Sequence, residues 1–304
     1  LLASKGGFLD LVKFFLDKGA NFHTYDKSGN TPLMLAATSG HLEVVKFFLD
    51  KGANFHTYDK SGNNPLMLAA SRGYIEVVRL LLERGFSGNL DNLLLLASKG
   101  GFLDLVKFFL DKGASLHTYD KSGKTPLMLA AEYGHLEVVK ELLSRKANLD
   151  IPEVGNTALM LAIQNGHVEV VRALLDHGAS VNPKNNSDIS PLKKAVYKKH
   201  VGIVRLLLSR GATKSHYMLE NEAYKNNFQM VRELLDGASQ QTLVNIRGYK
   251  YFFTWPEDLR ARIESKIIPP PSIWRRALTK IKNAHQKVTD AFKAYSDAVH
   301  PHVP

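Results

Sequence analysis

The chain of 304 residues contains no cysteine. That absence excludes a disulfide framework, a thiolate zinc site and a cysteine nucleophile together, and it fits a reducing compartment. Long apolar runs are missing as well. Nowhere do about eighteen apolar residues follow one another, so no membrane-spanning helix is expected, and no secretory leader is visible. Acidic residues are the scarcer charge, 29 against 40 basic ones, for a formal charge of +11. Residues 241–304 hold eleven Lys or Arg and five Asp or Glu. The basic excess is therefore expected in the tail, as a solvated surface or as an attractor of acidic protein, nucleic acid or anionic lipid.

Catalytic signatures are missing in the same way. GHLEVV at 40–45 and 134–139 offers one His and one Glu per helix but lacks the second His of a zinc protease. His23, His56 and His117 each precede Asp26, Asp59 or Asp120 by three residues. They fall in different copies of a repeat, whereas a metal needs three or four ligands at one point. No glycine-rich phosphate loop follows a strand, and no nucleophile elbow is present. No catalytic residue, metal site or cofactor is expected, and the chain reads as a non-enzyme.

What the chain does have is repetition. Residues 1–20 (LLASKGGFLDLVKFFLDKGA) recur letter for letter at 95–114, and HTYDKSG stands at 23–29, 56–62 and 117–123. With the small residue of each first helix as marker, the series runs Ala3, Ala36, Ala69, Ala97, Ala130, Ala162, Ala195 and Ala223. Its spacings are 33, 33, 28, 33, 32, 33 and 28. A fixed period decides the architecture before any local feature does. In the unit at 31–52, Thr31 caps a helix begun by Pro32, and Leu33, Leu35, Ala36 and Ala37 form its buried side. Gly40 ends it. A second helix follows through Leu42, Val44, Val45, Phe48 and Leu49 to Gly52, and a polar turn leads onward. Two such short helices close no core alone, so the units must stack.

DKSGNTPLMLAATSGHLEVVKFFLDKGA (26–53), DKSGKTPLMLAAEYGHLEVVKELL (120–143) and GNTALMLAIQNGHVEVVRALLDHGASVN (155–182) closely resemble the ankyrin consensus. The resemblance implies an all-α solenoid of stacked helix-turn-helix units with β-hairpin-like loops. It spans residues 1–238 in about eight units, the first truncated and those near 91–119 and 213–238 short. The chain departs from the family where a histidine usually follows Thr-Pro-Leu: Met34, Met67, Met128 and Met160 stand there, read as core packing with an inter-repeat hydrogen bond lost. Because SGNLDNLLLLA (87–97) lacks the turn sequence, the comb of loops is expected to break near Asp91, dividing the array into two blocks. The 94-residue offset of the identical segments reads as duplication of a three-unit block, with further repeats expected ahead of Leu1.

Ankyrin proteins bind on a concave face made of their loop tips and the exposed ends of the first helices. By that resemblance the partner-binding face comprises Tyr25, Lys27 and Asn30, then Tyr58, Lys60, Asn63 and Arg72. Lys99, Tyr119, Lys121, Lys124 and Tyr133 continue it, with Ser28, Thr38, Glu132, Gln164 and Asn165 beside them. The alternative reading makes Tyr-Asp-Lys the turn sequence of the scaffold. The resemblance also places Asn182, and His56 in the matching slot, where an asparaginyl hydroxylase acts in some family members.

From about Thr242 the repeat register is lost, and residues 239–304 read as a basic helical extension. Pro256, Glu257 and Asp258 begin one helix toward Ile267, and Pro269, Pro270 and Pro271 stop it. Ser272 caps a second, to about Val299, whose apolar seam includes Trp274, Leu278, Ile281 and Phe292. This seam serves as a cap on the last repeat, a docking helix, or an anionic-membrane contact. TWPEDLRARI (254–263) is similar to the first helix of an F-box through Pro256, Leu259 and Ile263.

The sequence thus reads as a monomeric protein-binding scaffold or adaptor, with a protein partner expected and nucleic acid not. The alternatives are a substrate-recruiting adaptor of a ubiquitin ligase, the ankyrin segment of a larger enzyme, or a pathogen effector. The expected location is cytoplasmic or nuclear, or the host cytosol for a secreted effector.

Overall fold

In the computed structural model the described residues are 1–149, 157–183, 190–213, 222, 228–235, 243, 255–267, 286–287 and 290. The backbone groups into two compact units, Leu1–Thr213 and Lys214–Pro304. All regular structure among the described residues is helical, and none of those helices is long and apolar enough to cross a membrane.

The first unit is a succession of helix pairs. In order they are α1 (Leu2–Lys5) and α2 (Leu9–Asp17), α3 (Pro32–Thr38) and α4 (Leu42–Asp50), α5 (Pro65–Ala70) and α6 (Ile75–Glu83). Then come α7 (Leu90–Gly100) and α8 (Leu103–Asp111), α9 (Pro126–Tyr133) and α10 (Leu136–Ser144). The series closes with α11 (Ala158–Asn165) and α12 (Val168–Asp176), and α13 (Pro191–Tyr197) and α14 (Val201–Ser209). First helices pack on first helices and second on second, which makes two parallel layers.

Each first helix starts where a short polar side chain can accept from an unpaired backbone N–H of the first turn. Thr31, Asn64, Thr125, Thr157 and Ser190 accept from the N–H three residues on, and Asn89 accepts from Asp91 and Asn92. Such a cap is worth about 1 kcal/mol. The methionine that replaces histidine has a part in this. The Met34 sulfur accepts from the Thr31 N–H at 3.4 Å, while Met34, Met128 and Met160 are buried and Met67 is half-buried. Leu33, Ala36 and Ala37 from the first layer meet Val44, Val45 and Phe48 from the second in a closed core, which recurs from unit to unit.

The joints between units depend on glycine. At the end of every first helix but α13 a glycine sits at positive φ, and an aromatic or histidine ring from the next unit lies against its Cα. A Cβ on Gly40 would come within 2.4 Å of the Tyr74 ring, one on Gly73 within 2.4 Å of Phe102, and one on Gly134 within 2.6 Å of His167. Where the ring is histidine, its Nε2–H also donates to a carbonyl of the preceding unit: His41 to Lys5 (2.9 Å), His135 to Lys99 (2.9 Å) and His167 to Glu132 (3.0 Å). The inter-unit hydrogen bond that the methionines cannot make is thus supplied from this second position. His200 occupies the same place, but its Nε2 is buried without a partner. Two lysines, Lys146 (φ 66°) and Lys199 (φ 61°), take left-handed positions that glycine holds in the other units.

The shortened unit near Asp91 does lack its loop tip, but the helical layers pass through the gap: α7 packs on both α5 and α9. The Asp91 carboxylate takes up the slack by accepting from the Ser115 N–H at 2.7 Å. The break is confined to the comb of tips, and the core is not divided.

In the second unit, helix Phe228–Leu234 buries Met230, Val231 and Leu234. Helix Glu257–Lys266 begins after Pro256, as expected, and buries Leu259 and Ile263, with Trp255 buried just before it. Arg232 forks onto the Asp258 carboxylate at 3.0 and 3.2 Å and joins the two helices.

Candidate partner-binding face

Each loop tip is organised by one aspartate. Asp26 Oδ1 accepts from the N–H groups of Ser28 and Asn30, both at 2.8 Å, and the Asn30 amide donates to both carboxylate oxygens. Asp59 repeats this with Ser61 and Asn63. Donation from the Asn30 side chain and backbone holds the Asp26 carboxyl below its ordinary value. For Asp59, partial burial pushes upward, and donation from Asn63 and Ser61 outweighs it, so the net shift is again downward. The Lys60 N–H donates to the Ser28 carbonyl at 3.0 Å and fastens one tip to the next.

The third tip differs by one residue. Asp120 accepts from the N–H groups of Ser122 and Lys124, but Lys124 stands where the others have asparagine. Its side chain leaves the turn, and the ammonium sits 2.7 Å from both oxygens of Glu132. Next to this pair the Lys99 ammonium lies 5.6 Å above the Tyr133 ring, which in turn stacks on His135. Two successive units so contribute to one patch of Lys99, Lys124, Glu132 and Tyr133. A cation over an exposed ring adds about 0.5–1 kcal/mol.

The expected site residues fall into two groups. Tyr25, Tyr58, Tyr119 and Tyr133 are 57%, 60%, 70% and 48% exposed, values that no need of the core explains. Lys27, Lys60, Arg72, Lys99 and Lys121 are exposed as well. Asn30 and Asn63 are half-buried and committed to their own turns, and Lys124 is committed to Glu132. Among the described residues, no group of three or more His, Asp or Glu converges as a metal site would require.

Helix pairs joined through glycine and histidine, with aspartate-built tips at one edge, form a recurrent architecture. The sequence profile described as ankyrin repeats (3 copies) matches residues 1–92, 87–153 and 150–218. The chain belongs to the ankyrin-repeat family. A crystal structure of the human ASB11 ankyrin repeat domain is similar to it at a TM-score of 0.62 and 27% identity, covering 70% of this chain and 97% of that one. No protein of curated function matches the sequence.

Ankyrin repeats generally mediate protein–protein interaction, and ankyrin domains are typically non-catalytic binding modules. In this ankyrin array Asn182 is tied to the following unit: its amide donates to the Gly211 carbonyl at 2.9 Å and its oxygen accepts from the Thr213 N–H at 2.8 Å. At His56 the backbone N–H donates to the Asn54 side chain. Trp274, Leu278, Ile281 and Phe292 lie outside the described residues. Leu259 and Ile263, which carry the F-box likeness, have their side chains buried.

One part of the face is absent from the list read from sequence. In α13, Tyr197 and Lys198 stand at the ranks of Glu132 and Tyr133, and Tyr197 is 75% exposed. The whole unit 190–213 contains Lys193, Lys194, Lys198, Lys199, Arg205 and Arg210 and no Asp or Glu. The basic excess outside the tail is thus gathered in this single repeat. Aligning Ala195 with Ala130 is the signal that would have found it.

Proposed function

We propose that the array is a protein-binding scaffold or adaptor. Its partner lies along the tips and first-helix ends through Tyr58, Tyr119 and Tyr133, with Arg72, Lys99 and Lys121 around them. The observation that carries this reading is the division of labour within each tip. Asp26, Asp59 and Asp120 with their asparagine or backbone donors build the turns, and the adjacent tyrosines take no part in that work. A tyrosine presents rigid area and a hydrogen-bonding end, which suits the centre of a protein interface. The chain performs no chemistry of its own in this reading.

A partner recovered on the full 304-residue chain and titrated against Tyr119→Ala/Tyr133→Ala should bind about 1,000-fold more weakly, since anchor residues cost about 2 kcal/mol each. The thermal midpoint should fall by no more than about 2–4 °C, because both rings are exposed and only the Lys99 and His135 contacts of Tyr133 are lost. An affinity unchanged by the double variant would move the binding surface elsewhere.

A further inference from the structure

The last unit before Thr213 differs from the rest in how its charge is balanced. Residues 1–189 hold 20 basic and 20 acidic residues, and several of them pair: Arg84 with Asp50, Lys124 with Glu132, Arg145 with Asp111 and Glu141, Arg172 with Glu169. Unit 190–213 has no acid of its own, and its Arg210 is taken by Asp176 of the unit before. Among the described residues, Lys194, Lys198 and Lys199 make no ion pair, and Tyr197 stands 75% exposed beside them.

A second observation is independent of charge. Lys199 holds φ 61° where Gly40, Gly73, Gly101, Gly134 and Gly166 stand in the other units. A side chain in the left-handed region costs stability that glycine would not. A lysine kept there, at the rim of the face and next to two others, is strain placed at a surface rather than in the core.

We propose that this end of the concave face, Tyr197 with Lys194, Lys198 and Lys199, binds an acidic segment of the protein partner, one rich in Asp and Glu. The inference rests on the reading that the concave face is the binding face, and it adds the partner's chemistry. Carboxylates spaced along an extended chain meet the ammonium groups, while the Tyr197 ring supplies apolar contact and a phenol donor. Nucleic acid fits less well. Phosphate backbones are held by a positive track across many contacts. Here the two preceding units present Gln164, Asn165 and Glu132 at the matching ranks, so the lysines beside Tyr197 do not run on to Lys99 and Lys121 as a track, and their cluster is one repeat, roughly 10 Å, deep.

The test uses the full chain and a labelled oligoglutamate peptide, followed by fluorescence anisotropy at low and moderate salt, with oligothymidylate of equal length as comparison. Affinity for oligoglutamate should fall about 3-fold in Lys198→Ala and about 10-fold in Lys198→Ala/Lys199→Gly. Lys199→Gly should at the same time raise the melting midpoint by about 2–4 °C, so lost binding cannot be lost folding. Unchanged oligoglutamate affinity in the double variant overturns the proposal. Tighter binding of oligothymidylate with the same losses replaces the acidic segment by nucleic acid and overturns it too. If Tyr119→Ala/Tyr133→Ala removes the partner while the lysine variants change nothing, the concave-face reading stands and only this inference falls.

Discussion

Replacing Phe109 by alanine should destabilise the array by about 3–5 kcal/mol, while the same change at Phe15 should cost well under half as much. The two residues sit at matching places in identical twenty-residue segments, 1–20 and 95–114. Phe109 is 0% exposed and Phe15 is 47% exposed. Local sequence and helix propensity are the same in both, so the difference belongs to the neighbouring unit. In the interior copy, Phe102 lies against Gly73 and the Arg79 guanidinium sits 4.5 Å above the Phe108 ring. At Phe109 a truncation removes a full ring from a closed core and leaves a cavity; at Phe15 water already reaches much of the ring. Urea midpoints of the two variants against the parent are the check. Equal losses would mean that the stacking of units contributes little, contrary to the burial described above.

Gly134→Ala should cost about 3 kcal/mol, and Gly113→Ala about 1 kcal/mol, the approximate cost of a left-handed alanine alone. Both glycines have positive φ, 79° and 93°. Their surroundings differ: a Cβ on Gly113 meets nothing within 4 Å, while one on Gly134 meets the His167 ring at 2.6 Å. The ring must then move, and its hydrogen bond to the Glu132 carbonyl goes with it, which adds roughly 1 kcal/mol to the repacking. Thermal or urea unfolding of the two variants separates backbone strain from the joint. If they lost stability equally, the ring contact would be soft and the joint would not fix how one unit sits on the next.

Much of this fold was legible because the repeat states it several times. Thr31, Pro32, Gly40 and Gly52 mark the ends of two helices, and a period near 33 residues carries most of those marks to the other units. The joints were not legible. That His167, Tyr74 and Phe102 are equivalent depends on where a ring lands in the next unit, and a histidine, a tyrosine and a phenylalanine share no chemical label. The methionine position shows a similar limit. Loss of a hydrogen bond could be read from the residue type, but a sulfur that accepts from Thr31 needs the turn geometry. Of the proposed face, the tip tyrosines can be listed from sequence because HTYDKSG is repeated. Lys124 is placed on the face by its position in the tip, while its ion pair with Glu132, eight residues on, needs the helix geometry to be seen. The basic unit at 190–213 departs from the consensus, so the repeat pattern does not point to it.

The missing tip near Asp91 has a consequence for how a linear ligand finds its place. HTYDKSG occurs three times, and evenly spaced copies would let an extended chain bind in several frames of nearly equal energy, each one unit along from the last. The array lacks that translational symmetry. Tips at 26–30 and 59–63 are joined, the next place in the row is empty, and the third tip carries Lys124 in place of asparagine. A chain that spans all three must cross about 20 Å at the gap where one step is about 10 Å. A shift by one unit would put its anchors opposite bare helix. For a ligand bound along the proposed face, the gap would be an index mark, turning a ruler of like divisions into an address.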